Sequence, residues 1–265
     1  MVINKIAHFM EIFIKLLIVH HFVALFSQTF FNHRYAAHAM FRMNRITEKF
    51  FFVLCWVAQG PSYLSPYAYA ILHRMHHANT DTEDDPHSPS FSKGIFDMMR
   101  KTLIAFNDVF YERIQIEEKY KKNVPNWNKF DKFASSLFSK ALWVIVYASI
   151  YLYLISSSDL TLWNYFILVP MFLAHCLMGP VHGAIINYFA HKYGYRNFET
   201  TDTSKNLLSP ASIIMLGEGY HNNHHKLMGR PNFGVKWYKL ELDPVWPIIW
   251  VLDKIHVIRL NKTAF

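Results

Sequence analysis

Residues 160–190 contain no Asp, Glu, Lys or Arg. An uncharged run of 31 residues, rich in Leu, Ile, Phe and Val, is hard to place in water. As one helix it would be about 46 Å long at 1.5 Å per residue, against a bilayer core of about 30 Å. It reads as a membrane span, residues 160–187, whose last turns rise above the lipid. Residues 12–31 are apolar apart from Lys15, His20, His21 and a few small polar groups, and residues 141–155 are almost wholly apolar. They predict two further spans, about 10–32 and 138–156. Arg34, Arg42, Arg45 and Lys49 follow the first span, whereas the turn Ser156-Ser157-Ser158-Asp159 carries no Lys or Arg. Positive charge marks the cytoplasmic side, so that turn lies outside and the N-terminus with it. The 23 Phe, 15 Tyr and 7 Trp suit a protein with rings at membrane interfaces. A charged fraction of 17% still demands a substantial aqueous part. The net charge of +8 follows from the positive-inside rule, or from a basic face for an acidic electron carrier or phosphate-bearing substrate. The first apolar segment has no small-residue cleavage site and is not read as a signal peptide. Cys55 and Cys176 sit in apolar runs and imply no disulfide framework.

The aqueous part is rich in histidine. His73-Arg74-Met75-His76-His77 and His221-Asn222-Asn223-His224-His225 share one spacing, 148 residues apart. Positions i, i+3 and i+4 of a helix share a face, so each triplet can bring three imidazoles to one point. Neutral imidazole is a favoured ligand of iron, zinc and copper. His33, His38 and His191 stand at the ends of apolar segments and raise the set to nine, too many for one ion and right for two. His20, His21, His175 and His182 lie deeper and read as packing or polar contacts. His87, beside Pro86, reads as structural. Between His77 and His221 two crossings return the chain to the side it left, so all three groups share the cytoplasmic face.

That geometry decides the ambiguous segment 50–72. A single crossing would put His38 and His73 about 30 Å apart on opposite faces. An interfacial or re-entrant segment bent at its prolines is predicted instead. The acidic stretch from Asp81 to Asp85 reads as a solvated face, or as a source of carboxylates that orient ligand imidazoles. Residues 91–140 read as helices on or above the surface, with Trp127 and the aromatics near 130 at the interface. Asp243-Pro244 opens an amphipathic stretch with Ile248, Ile249, Leu252 and Ile255 at helical spacing.

The expected fold is an all-α integral membrane protein with one domain over residues 1–265. It has about three transmembrane helices, an interfacial or re-entrant segment, and a helical cytoplasmic cap (73–137 and 191–265) holding a histidine-rich di-metal site.

The order H-x4-H, H-x2-H-H, H-x2-H-H around apolar helices resembles the integral-membrane fatty acid desaturases. Asp85-Pro86-His87 after the second box, Asn187-Tyr188-Phe189-Ala190-His191 with Gly194-Tyr195-Arg196, and Gly217-Glu218-Gly219-Tyr220 before the last box resemble the acyl-CoA (stearoyl-CoA type) branch. The resemblance covers roughly residues 25–230. It implies that His33, His38, His73, His76, His77, His191, His221, His224 and His225 bind two Fe2+ ions, with Asn187 acting through a water. No catalytic residue beyond the metal ligands and no organic cofactor site is implied. The expected reaction places a cis double bond, by resemblance at Δ9, in a saturated acyl chain, using O2 and two electrons. The expected partners are acyl-CoA or another acyl thioester or lipid, O2, the bilayer, and a donor such as cytochrome b5 or a ferredoxin, with no nucleic acid. The expected location is a membrane, the bacterial inner membrane ahead of the endoplasmic reticulum, with the site on the cytoplasmic face. The branch's animal members place two membrane helices before the first box, where this chain has room for one. A related di-iron hydroxylase and a non-catalytic membrane metal-binding protein are the alternatives.

Overall fold

The computed structural model describes residues 2–156 and 162–261. Helix α1 (Val2–Ser27) runs directly into a π-helical segment, Gln28–Ala37. Residues Met10–Ala37 are long and apolar enough to cross a membrane, five residues beyond the expected end of the first span. A short strand β1 (Phe41–Met43) precedes α2 (Arg45–Gln59), whose start is fixed by Asn44. The Asn44 side-chain oxygen accepts from the backbone N–H of Ile46 and Thr47, both at 2.9 Å. A 3-10 turn, Gly60–Ser62, and Pro66 at the first position of α3 (Pro66–Asn79) break the 50–72 segment at its prolines. The helices themselves extend past it on both sides, from Arg45 to Asn79.

Next come α4 (Ile95–Phe110), α5 (Glu118–Lys121) and α6 (Asn128–Ala134), helical as expected for a mixed polar region. Trp127 does not simply lie at an interface: it stacks on Phe130 at 4.6 Å and packs edge-on to Phe52 in the main core. Helix α7 (Leu137–Ser156) is the second candidate span. The turn expected at the outer end of the hairpin lies outside the described residues.

The 160–190 run is not one straight helix. Helix α8 (Leu162–Cys176) gives way at Leu177 to α9 (Met178–Ala184), a second π-helical segment (Ile185–Phe189) and α10 (Ala190–Lys192). Phe166–Cys176 and Met178–Lys192 are bent by 78°, so surplus length is absorbed by a bend, not by a protruding rod. The cap closes with α11 (Ser209–Ile214), α12 (His221–Lys226), α13 (Val245–Lys254) and β2 (Ile258–Leu260). In α13 Val245 and Ile249 are fully buried, while Ile248, and Ile255 just beyond the helix, are exposed. β2 pairs antiparallel with β1, Leu260 opposite Phe41, a small departure from an all-helical chain.

The protein is thus mostly helical, with two candidate membrane spans among the described residues, or three if the bent pair is one span. The main core, built on Phe30, Phe31, Phe41, Phe52, Tyr220 and Phe233, ties the first π-helical segment to the cap.

Candidate metal centre

The wide turn of Gln28–Ala37 places the first two imidazoles. The His38 N–H donates to the His33 carbonyl at 3.1 Å, the i→i+5 bond of a π-helix. In an α-helix residues five apart point about 140° from each other. The wider turn brings them to one face, and α3 packs along it.

Residues i and i+4 of an α-helix differ by about 40°, whereas i+3 lies about 60° to the other side. The two triplets divide accordingly. One group collects His33, His38, His73, His77 and His224; the other collects His76, His191, His221 and His225. In each group the facing ligand atoms lie within 4.8 Å of one another. The expectation that each triplet converges on one point is therefore corrected: each gives its i, i+4 pair to one group and its i+3 residue to the other. The groups adjoin, with the rings of His77 and His225 4.4 Å apart.

Carboxylates orient the rings from behind. Glu218 lies 2.7–2.8 Å from His33 Nδ1, Asp85 2.9 Å from His76 Nδ1, and Asp202 3.1 Å from His225 Nδ1. Asp81 stands 3.5 Å from His191 Nδ1 and accepts from Thr203. A carboxylate only accepts, so each Nδ1 it holds carries the proton and Nε2 presents a lone pair. The Nε2 atoms of the two groups crowd together. His33 and His224 Nε2 are 3.0 Å apart, His38 and His73 2.9 Å, and His191 and His221 3.0 Å. His76 and His225 Nε2 are buried without a hydrogen-bond partner. Lone pairs gathered in dry surroundings repel unless a cation lies between them, and the residues present fit such a cation. Burial first, and neighbouring imidazoles second, hold His38, His73, His77, His221, His224 and His225 well below the usual imidazole range. Neutral imidazole is the form that binds metal. Burial alone would raise Glu218 and Asp81. At Glu218 His33, Arg34 and Thr29 together outweigh it; at Asp81 His191 and Thr203 do, and both carboxyls end below their usual range.

Asn187 is in neither group. It lies half-buried in the second π-helical segment and, with His221, lines a cavity of about 600 Å³. His33, His73 and His221 form part of the wall, and Leu25, Leu72, Leu103, Phe106 and Ile186 give it an apolar lining. Arg100 and Lys140 border it; Lys226, Arg230, Lys236 and Lys239 do not.

His87 is placed differently from its sequence reading. It is buried, lines the same cavity, stacks on His76 at 4.2 Å, and shares a third cluster with His76 and Asp85. The four deeper histidines bind one another and the bundle: His20 Nε2 donates to the Ala58 carbonyl at 3.0 Å, and His182 is 3.0 Å from His21. Glu218 and Asp202 carried no assigned role in the sequence. The signal was available for Glu218, three residues before His221, but not for Asp202, which only the fold brings to His225.

The family model described as fatty acid desaturase matches residues 12–250. Hex-5-enoyl-(acyl-carrier protein) acetylenase of Moorena producens is 28% identical over 85% of this chain and 69% of its own length. The sn-1 stearoyl-lipid 9-desaturase of Synechocystis is 26% identical over 86% of this chain and 64% of its own. Icosanoyl-CoA 5-desaturase of Limnanthes douglasii is 30% identical over 84% of this chain and 57% of its own. These relatives carry their acyl chains on three different groups, so the match fixes the family and not the branch. With two adjoining imidazole groups opening on an apolar cavity between candidate membrane spans, the chain belongs to the fatty acid desaturase family.

Proposed function

We propose that the protein inserts a cis double bond into a saturated acyl chain at a di-iron centre. The observation that carries the reading is the pair of imidazole groups, of five and four histidines, beside a long apolar cavity. His33, His38, His73, His77 and His224 would hold one ion, and His76, His191, His221 and His225 the other. Asn187, on the cavity wall, would reach the second through a water. Two irons, when bound, would supply the redox chemistry for removing hydrogen from an unactivated chain, which redox-inert zinc cannot. The overall change balances as one methylene pair, O2, two electrons and two protons giving one alkene and two waters.

The chain's own residues do the positioning. Leu72, Leu103, Phe106 and Ile186 hold the methylenes and exclude water, while carboxylates keep His33, His76, His191 and His225 in their ligand tautomer. Arg100 and Lys140 stand where an anionic headgroup would enter at the boundary of membrane and cytoplasm. The carrier proposed is CoA and the position Δ9, on the Asp85-Pro86-His87 and Asn187-to-Arg196 segments. The electrons come from a separate protein such as cytochrome b5 or a ferredoxin. The location is the inner membrane of a bacterium, with the site facing the cytoplasm.

The test is expression in a host lacking the activity, followed by mass spectrometry of its fatty acids, and then purified protein offered the same chain on CoA, carrier protein and lipid. A new cis alkene supports the reading; a hydroxy acid in its place replaces it with the hydroxylase. Glu218→Gln gives a graded check. The amide no longer offers His33 and Thr29 a charged acceptor, and iron affinity or turnover is expected to fall about 10- to 100-fold while the protein still accumulates. Iron per chain and alkene yield measure it, and unchanged values in both would remove Glu218 from the site.

A further inference from the structure

A second cavity of about 220 Å³ lies deeper in the helix bundle, and its position relative to the first is informative. Three separate stretches each line both cavities and change over at one level. Along α1 and the π-helical segment that continues it, Leu16, Val19, His20 and Val23 line the deeper cavity, whereas Leu25, Gln28 and His33 line the larger one. In the stretch from α2 to α3 Val57 and Ala58 face the deeper cavity and Pro61 to Leu64 the larger, with Gly60 between. At the end of α8, His175 belongs to one and Cys176 to the other. The two cavities are therefore stacked end to end along α1, on the side of the larger one away from the histidine groups.

One side chain fills the level between them. Tyr147 of α7 lines the deeper cavity, and its hydroxyl lies against Gly60, where a Cβ would collide with the phenol. The same hydroxyl is 3.2 Å from His20 Nε2. That nitrogen also faces the Ala58 carbonyl, which only accepts, so His20 Nε2 carries the proton and donates to both oxygens. Gly60, at φ 54°, takes a backbone conformation that L side chains rarely adopt, and its missing side chain is what admits the ring. His20, Gly60 and Tyr147 thus form a braced partition.

We propose that Tyr147 is the floor of the acyl site and sets how far the methyl end of a substrate reaches. The proposal rests on the desaturase reading of the larger cavity. Without the ring, the two spaces become one channel continuous from the histidine groups to Leu16. A longer tail beyond the reacting carbons then fits, whereas in the native protein it meets the phenol. A hydrophobic wall of this kind discriminates modestly between neighbouring chain lengths, about 10- to 200-fold per methylene at most.

The experiment is a product profile from full-length protein in the expression host supplied with saturated acids of graded length. Tyr147→Ala is expected to raise the share of alkenes from chains longer on the methyl side by about tenfold over the wild type. The double variant Tyr147→Ala with Ile150→Trp, which refills the deeper space, is expected to return the profile to the short side. Ile150→Trp alone should leave it unchanged. If Tyr147→Ala does not accumulate, Tyr147→Leu removes the hydroxyl and ring with less loss of packing and is expected to shift the profile in the same direction. An active Tyr147→Ala or Tyr147→Leu variant with the wild-type length distribution overturns the proposal. Absence of any alkene from the wild type would instead remove the desaturase reading beneath it.

Discussion

His224→Ala should abolish the new alkene and remove about half of the bound iron. His224 comes from the last triplet but belongs to the group of five, where its Nε2 is 3.0 Å from those of both His33 and His77. Its removal takes away the member that joins the cap to α1 and α3. Loss of a residue that merely orients a ligand costs about 10- to 100-fold, and loss of the ligand itself should exceed that range. His76→Ala is the complementary variant. It reduces the group of four to three and leaves Asp85, buried against it, without its imidazole. Iron per chain and alkene yield together separate the two effects, because each variant should empty a different half of the centre. If both variants keep full activity, the ligand assignment fails. If each loses all its iron, the two groups bind as one cooperative unit.

The histidine sites were legible because ligand spacing is a local property. Two H-x2-H-H boxes state in one dimension that rings lie on one side of a helix. Their division between two groups is less legible, because i+3 and i+4 share a side of the helix and yet diverge by about 100°. His33 and His38 carried the weakest signal for a related reason. A spacing of five does not suit an α-helix, and nothing in the residues Gln28–Ala37 signals the wider turn that makes it suitable. Two candidate spans, and a third if the bent pair is one, were legible as long apolar runs with few charges. The bend at Leu177 was not, because that run holds two prolines, Pro170 and Pro180, and composition does not say where a helix gives way. The place of His87 beside a proline says nothing of the cavity wall, which the packing of α4 against α3 and α9 creates.

Asp243→Ala should destabilise the protein by about 3–5 kcal/mol, the usual result of leaving a buried charge without its partner. Arg34 is the largest side chain buried to this depth, and its Nη2 donates to Asp243 at 2.7 Å. Its Nε and Nη1 have no other hydrogen-bond partner among the described residues. Asp243 also accepts from the backbone N–H of Phe233 at 2.9 Å and of Val245 at 3.0 Å, so one carboxylate anchors the guanidinium and the entry to α13. The consequence reaches the metal centre. The Phe233 ring lies under Arg34 at 4.1 Å and against His224 at 4.8 Å, so a guanidinium seeking water would carry that ring away from a ligand. Thermal inactivation in detergent should quicken, and iron should be lost from the group of five before the other. The double variant Arg34→Met with Asp243→Leu separates charge from packing. Replacing both partners by apolar side chains of similar bulk removes the desolvation cost along with the attraction, and much of the lost stability should return. If the double variant is no more stable than Asp243→Ala, the backbone bonds of Asp243, and not its charge, are what the fold requires.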